Sequence, residues 1–217
     1  MTRCHIYLKS TFGGDIVAKD KFFELSKEKQ EQLLKAAKEE FSNKTYEEAS
    51  INKIIKSINL ARGSFYLYFD NKEDLYLYIL KSYIEKFREK LLIILNNNDR
   101  DIFKSLIIFY DEIVKTKNSN YNLVHNLFIN MNSKQLDIAF PKVIESEING
   151  SILNTIDFSK YDISFEERKV LLSILMPILF HSIAISFDKF HQISDVRAHY
   201  IAQLNIIKRG LERKTLC

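Results

Sequence analysis

The sequence predicts an all-α fold, and two observations carry that prediction. Only five glycines and two prolines occur in 217 residues, too few for an all-β chain, which needs a turn roughly every dozen residues. Long stretches rich in Leu, Ile, Lys and Glu repeat their apolar residues at three- and four-residue spacing, the period of a helix with one buried face. With 46% of the residues hydrophobic and 28% charged, a sizeable core is available, enough for one large domain or a small one joined to a larger one.

Residues 1–20 fit no helical pattern, contain Gly13-Gly14 and are read as a flexible arm with no assigned function. Ser26 is the N-cap of a helix over 27–42. Glu28 lies in its first turn, where the helix dipole favours an acid, and Leu33, Leu34, Ala37 and Phe41 share one face. Ser50 caps a second helix, in which Ile51, Ile54, Ile55 and Ile58 fall at i, i+3, i+4 and i+7, with Asn52, Lys53 and Lys56 opposite. It ends near Ser57, because Asn59 accepts the left-handed backbone of a tight turn. A third helix begins near Ala61, with Phe65 and Phe69 inward. Asn71 caps a fourth and Asp74 returns the capping interaction; Leu75, Tyr78, Ile79, Tyr83, Phe87 and Leu91 carry its stripe to about Leu95. Further helices are expected near 100–117, 120–131, 135–157, 164–188 and 194–213, with a kink at Pro177. The division that follows is an arm (1–20), a small head (21–80) and a larger helical body (81–217), with the head–body boundary inside the long fourth helix.

Net charge is +4 and the isoelectric point about 8.8, a mildly basic balance that points weakly to nucleic acid. Cys4 and Cys217 offer neither a disulfide framework nor metal spacing; reduced thiols in a cytoplasmic protein are the plainer reading. The first residues lack the apolar core and cleavage site of a signal peptide. Val170–Phe187 is nearly as long and apolar as a membrane span. It nevertheless contains Ser173, Pro177, His181, Ser182 and Ser186 between charged helices, so a buried or subunit-interface helix is expected and no membrane partner. Catalysis is disfavoured: there is no Gly-rich phosphate loop, nucleophile elbow or carboxylate pair. His181, His191 and His199 lack the spacing that pairs two imidazoles on a helix, and soft ligands other than Met are absent from the body. No cofactor and no metal are expected.

Two short helices joined by a tight turn form a helix-turn-helix. Residues 50–69 hold Lys53, Lys56 and Arg62 without a single Asp or Glu, the local basicity that phosphate neutralisation needs; a solvated hairpin would read the same on composition alone. The run Ala61-Arg62-Gly63-Ser64-Phe65-Tyr66-Leu67-Tyr68-Phe69, followed by Asn71-Lys72-Glu73-Asp74-Leu75, closely resembles the signature of the TetR family, and the resemblance extends back through Ile58, Ile54 and Ser50 to Phe41. It covers roughly residues 27–80. It departs at Asn59, where Gly is common, and at Ala61, where Ser or Thr is common.

The resemblance implies a transcriptional regulator, released as a repressor from a palindromic operator by a small ligand. Gly63 would let the recognition helix approach DNA closely, Arg62 would read a base, and Tyr66, Ser64 and Ser50 would bond phosphates. Lys72 would add a backbone contact. Tyr68 is either a contact or core, the contact preferred; Lys53 and Lys56 are either contacts or a solvated face. In the body, the resemblance implies homodimerisation through the two C-terminal helices, with Leu171, Leu175, Ile178, Leu179, Ile201, Leu204 and Ile207 as candidates. It also implies a cavity among Tyr83, Phe109, Tyr110, Tyr121, His125, Phe128, Met131, Phe140, Met176 and His181. Taken singly, each of these reads as core; together they describe a pocket for a largely apolar or aromatic effector. The alternative is a body that binds another protein. The expected partners are therefore double-stranded operator DNA, a second copy of the chain and a small-molecule effector.

Overall fold

The computed structural model describes residues 18–115, 146–187 and 190–212. Their elements are α1 (Asp20–Phe23), α2 (Lys27–Asn43), α3 (Ile51–Ser57), α4 (Arg62–Tyr68), α5 (Lys72–Asn96), α6 (Ile102–Lys115), α7 (Ser146–Thr155), α8 (Phe165–Ser186) and α9 (Ile193–Leu211). Among the described residues no strand forms, only an isolated bridge between Tyr161 and Glu212. The chain divides into two compact units between Tyr83 and Ile84, inside α5.

In the first unit, α2 starts as the sequence expects, with the Ser26 side chain accepting from the Lys29 N–H at 3.4 Å. Its inner face buries Leu33, Ala37 and Phe41. α3 buries Ile54 and Ile55 and ends in a Schellman motif: Leu60 N–H donates to the Ile55 carbonyl at 2.8 Å and Asn59 N–H to that of Lys56 at 3.2 Å. Asn59 takes the left-handed conformation at φ 52°, so the residue that replaces Gly keeps the geometry. Two capping expectations are modified. Ser50 stands at the N-cap of α3, yet its side chain makes no capping bond; its backbone N–H donates to Glu40 Oε1 at 3.1 Å. Asn71 Oδ1 does accept from the Asp74 N–H at 2.9 Å, but the return bond from Asp74 lands on the N–H of Asp70, one residue early.

Part of the expected arm is not an arm. Ala18 is buried, and Phe22 of α1 is fully buried, its ring 5.1 Å from Phe69 and 5.3 Å from Tyr78. The Lys19 N–H donates to the Tyr68 carbonyl at 2.9 Å. Four residues are too few for a periodic pattern, so only this tertiary contact marks the element.

The second unit centres on α8, which packs on α6, α7 and α9. A full capping box between Ser164 and Glu167 starts α8, and the helix continues through Pro177. By length and composition α8 is apolar enough to cross a membrane, with mean hydropathy 1.8 over its most apolar stretch, but 56% of that stretch is buried inside the protein. Phe87 stacks on Phe109 at 4.1 Å and Phe180 at 4.8 Å, and Tyr110 on Tyr200 at 5.0 Å. The Ser186 hydroxyl donates to the Ser182 carbonyl at 2.7 Å, which leaves the Tyr110 hydroxyl, 2.5 Å away, as donor to Ser186. Arg197 grips Asp111 bidentately at 2.6 and 2.8 Å, joining α9 to α6. The helix expected over 120–131 lies outside the described residues, and α7 falls within the one expected over 135–157.

Candidate nucleic-acid interface

The outward face of α3 and α4 follows from what their inward faces bury. Phe65 and Phe69, four apart, have no exposed surface. They turn α4 so that Arg62, Gly63 and Tyr66 face outward, Tyr66 with 40% of its surface exposed and Ser64 half-buried. Lys53 and Lys56 are exposed on α3. Among the described residues the side chains of Lys53, Lys56 and Arg62 meet no ion-pair or hydrogen-bond partner, so three cationic groups face solvent without internal neutralisation. The C-terminal end of α4 is held by Lys19, whose Nζ donates to the Tyr66 carbonyl at 2.9 Å and pairs with Asp70. A cation at a helix C-terminus is electrostatically favourable.

Gly63 has an informative environment. A Cβ built there meets nothing within 4 Å beyond its own helical turn, so packing inside the protein does not call for glycine. The space is open on the side where a partner would approach.

Three residues of the expected set behave differently. Lys72 is turned inward: its Nζ lies 2.5 Å from the Tyr46 carbonyl, 3.0 Å from that of Ala49 and 3.2 Å from that of Glu47. It also sits 4.4 Å from the centre of the Tyr46 ring, and burial pushes its pKa below the ordinary lysine value. Tyr68 is half-buried, its ring 6.4 Å from Phe22, an arrangement closer to core than to contact. Ser50 is half-buried with its hydroxyl uncommitted to capping.

The body candidates are not gathered into one site by the described residues. Tyr83 belongs to the first unit, half-buried, with the Lys38 ammonium 5.2 Å from its ring centre. Phe109, Tyr110 and Met176 are buried in the second unit. His181 is exposed and lines an open cleft of about 400 Å³ with Phe190, His191, Asp195 and His199. Tyr121, His125, Phe128, Met131 and Phe140 lie outside the described residues.

The dimer candidates need correction. Leu171, Leu175, Leu179 and Leu204 are 4%, 0%, 0% and 1% exposed; the core of the single protomer consumes them. Ile178, Ile201 and Ile207 are half-buried. Among the described residues, the large apolar side chains left outside on these two helices are Phe165, Val170 and Ile174 on α8 and Ile206 on α9, at 54%, 55%, 45% and 62% exposure. Sequence reasoning missed these because a helix that is apolar almost all round does not disclose which side its neighbours cover.

A short helix offering Arg62, Ser64 and Tyr66, backed by two phenylalanines and set off from a second helix by a left-handed turn, defines a helix-turn-helix DNA-binding regulator. The comparisons give the family. Residues 33–79 match the model for bacterial regulatory proteins of the tetR family, and residues 101–211 match the tetracyclin repressor-like C-terminal domain. The chain belongs to the TetR family of transcriptional regulators, whose members are DNA-binding proteins rather than enzymes. It is 26% identical over 125 residues to the HTH-type transcriptional regulator YdgC of Bacillus subtilis (strain 168), a match covering 56% of this chain and 64% of that protein. It is 30% identical over 122 residues to YuxN, another HTH-type transcriptional regulator of that organism, covering 55% of this chain and 39% of the relative. Each match thus spans less than two thirds of the relative's length. In fold the chain is similar to the reduced form of E. coli NemR, with TM-score 0.58 at 13% identity, covering 86% of this chain and 98% of that one.

Proposed function

We propose that this regulator is a cytoplasmic repressor that binds a palindromic operator as a homodimer and leaves it when a small, largely apolar or aromatic ligand enters the body. The observation that carries the DNA reading is the unneutralised Arg62 beside the unfilled space at Gly63, on a helix anchored by fully buried Phe65 and Phe69. Arg62 reads a base edge and Tyr66, Ser64 and Ser50 hold phosphates, with Lys53 and Lys56 adding charge.

Pairing is supported by the exposed Val170 and Ile174 on α8 and Ile206 on α9, on two helices that pack together. Two heads at a fixed separation suit two half-sites. The aromatic and Met-bearing interior of the second unit, with Phe87, Phe109, Phe180 and Met176, supports an apolar effector, which acts by favouring a state that no longer fits the operator. The test is binding of the purified protein to DNA upstream of its own gene across salt concentrations, alongside an Arg62→Ala, Tyr66→Ala double variant. Sequence-selective, salt-sensitive binding that the double variant lacks is expected. Equal binding by the variant would move the reading surface elsewhere.

A further inference from the structure

Lys72 is the first residue of α5, where an ammonium is well placed to reach toward a phosphate, and it does not. An ammonium has three N–H donors, and the carbonyls of Tyr46, Glu47 and Ala49 supply three acceptors within 3.2 Å. The Tyr46 ring closes the cage at 4.4 Å. Reaching outward would strand the part-buried carbonyls of Tyr46 and Ala49 in exchange for one phosphate bond.

The segment that the cage holds leads directly into α3. Its far end is held by another element, since the Ser50 N–H donates to Glu40 Oε1 of α2. The entry to α3 is thus pinned between α2 and the first turn of α5, and the Schellman turn at Asn59 passes that placement on to α4.

We infer that Lys72 is a positioning residue for DNA reading: it fixes the start of α3, and through it α4, against the first turn of α5, and makes no phosphate contact of its own. The inference rests on α3 and α4 being the DNA-reading helices. Its test compares the wild-type chain with Lys72→Met on two duplexes over a range of salt, one selected by the wild type from a random library and one of random sequence. The variant is expected to bind the selected duplex about tenfold more weakly, with an unchanged salt slope and an unchanged affinity for the random duplex. A slope reduced by about 0.9, with parallel loss on both duplexes, would make Lys72 a phosphate contact and overturn the inference, as would undiminished binding of the selected duplex.

Because the substitution can also loosen the head, the ammonium signal of Lys72 is followed by ¹⁵N NMR in the unmodified protein. A signal protected from exchange and unmoved by the selected duplex is the expected result, and a shift on adding that duplex overturns the inference. Failure of the wild type to select any duplex would instead strike the assignment of α3 and α4, and the inference would fall with it.

Discussion

At the scale of single residues, Gly63 separates folding from function. It lies inside α4, where glycine costs about 1 kcal/mol relative to alanine, and a methyl group would meet nothing in the protein beyond its own turn. Gly63→Ala is therefore expected to leave the melting temperature unchanged or raise it, with a gain of up to about 1 kcal/mol. The same variant is expected to bind DNA about tenfold more weakly, a loss of ~1.4 kcal/mol. A stabilised variant that bound as tightly as wild type would remove the case for close approach at this position. Gly63 was legible in the sequence because it sits in a specific run of residues. The direction of Lys72 was not, because its acceptors lie 23 to 26 residues earlier in the chain and nothing local distinguishes a lysine turned inward from one reaching out.

At the scale of elements, boundaries written in caps and turns were readable. The end of α3 at Ser57 rests on the turn chemistry of Asn59, which the sequence carries with it, whereas α8 was expected only as an apolar stretch near 164–188 and its capping box at Ser164 appears in the structure. α1 was not readable, since what fixes it is tertiary, chiefly Phe22 against Phe69 and Tyr78. The cap of α8 yields a test. The Ser164 N–H donates to Glu167 Oε2 at 2.6 Å, and the Ser164 hydroxyl accepts from the Glu167 N–H at 3.3 Å. The bond from the Ser164 N–H, and after it the Ser164 hydroxyl beside the carboxylate, hold the Glu167 carboxyl below its ordinary value of 4.5. A carboxyl depressed in the folded state contributes stability that is complete above its unfolded value and is lost as the pH falls through the folded one. Ser164→Ala should cost about 1 kcal/mol near neutrality, and the gap between the urea midpoints of variant and wild type should narrow below the ordinary glutamate range. A gap independent of pH would leave the tie to the Glu167 carboxyl with the Ser164 N–H alone, which the substitution keeps, and make the hydroxyl a neutral cap.

At the scale of the whole molecule, the helical layout was legible but the outward side of the apolar helices was not. Leu175 and Ile174 are neighbours in sequence, and one has no exposed surface while the other has 45%. Only the surrounding helices decide between them. If the exposed residues form the subunit contact, Val170→Asp with Ile206→Asp should convert the dimer to folded monomers in sedimentation experiments, with an unchanged helical signal. Leu175→Ala should instead cost about 2–5 kcal/mol of stability within the protomer; dimers that survived both surface charges would place the contact elsewhere.

The aromatic cluster around Phe22 also bears on how the head can be cut out and studied alone. The family match begins at residue 33, but Ala18 is already buried and its neighbour Lys19 ties the backbone to the end of α4. A fragment trimmed to the matched region would present the rings of Phe69 and Tyr78 to water and lose the ammonium that steadies the last turn of α4. An autonomous head therefore has its natural first residue at or before Ala18, and a tag fused directly to α2 would occupy the place where α1 docks.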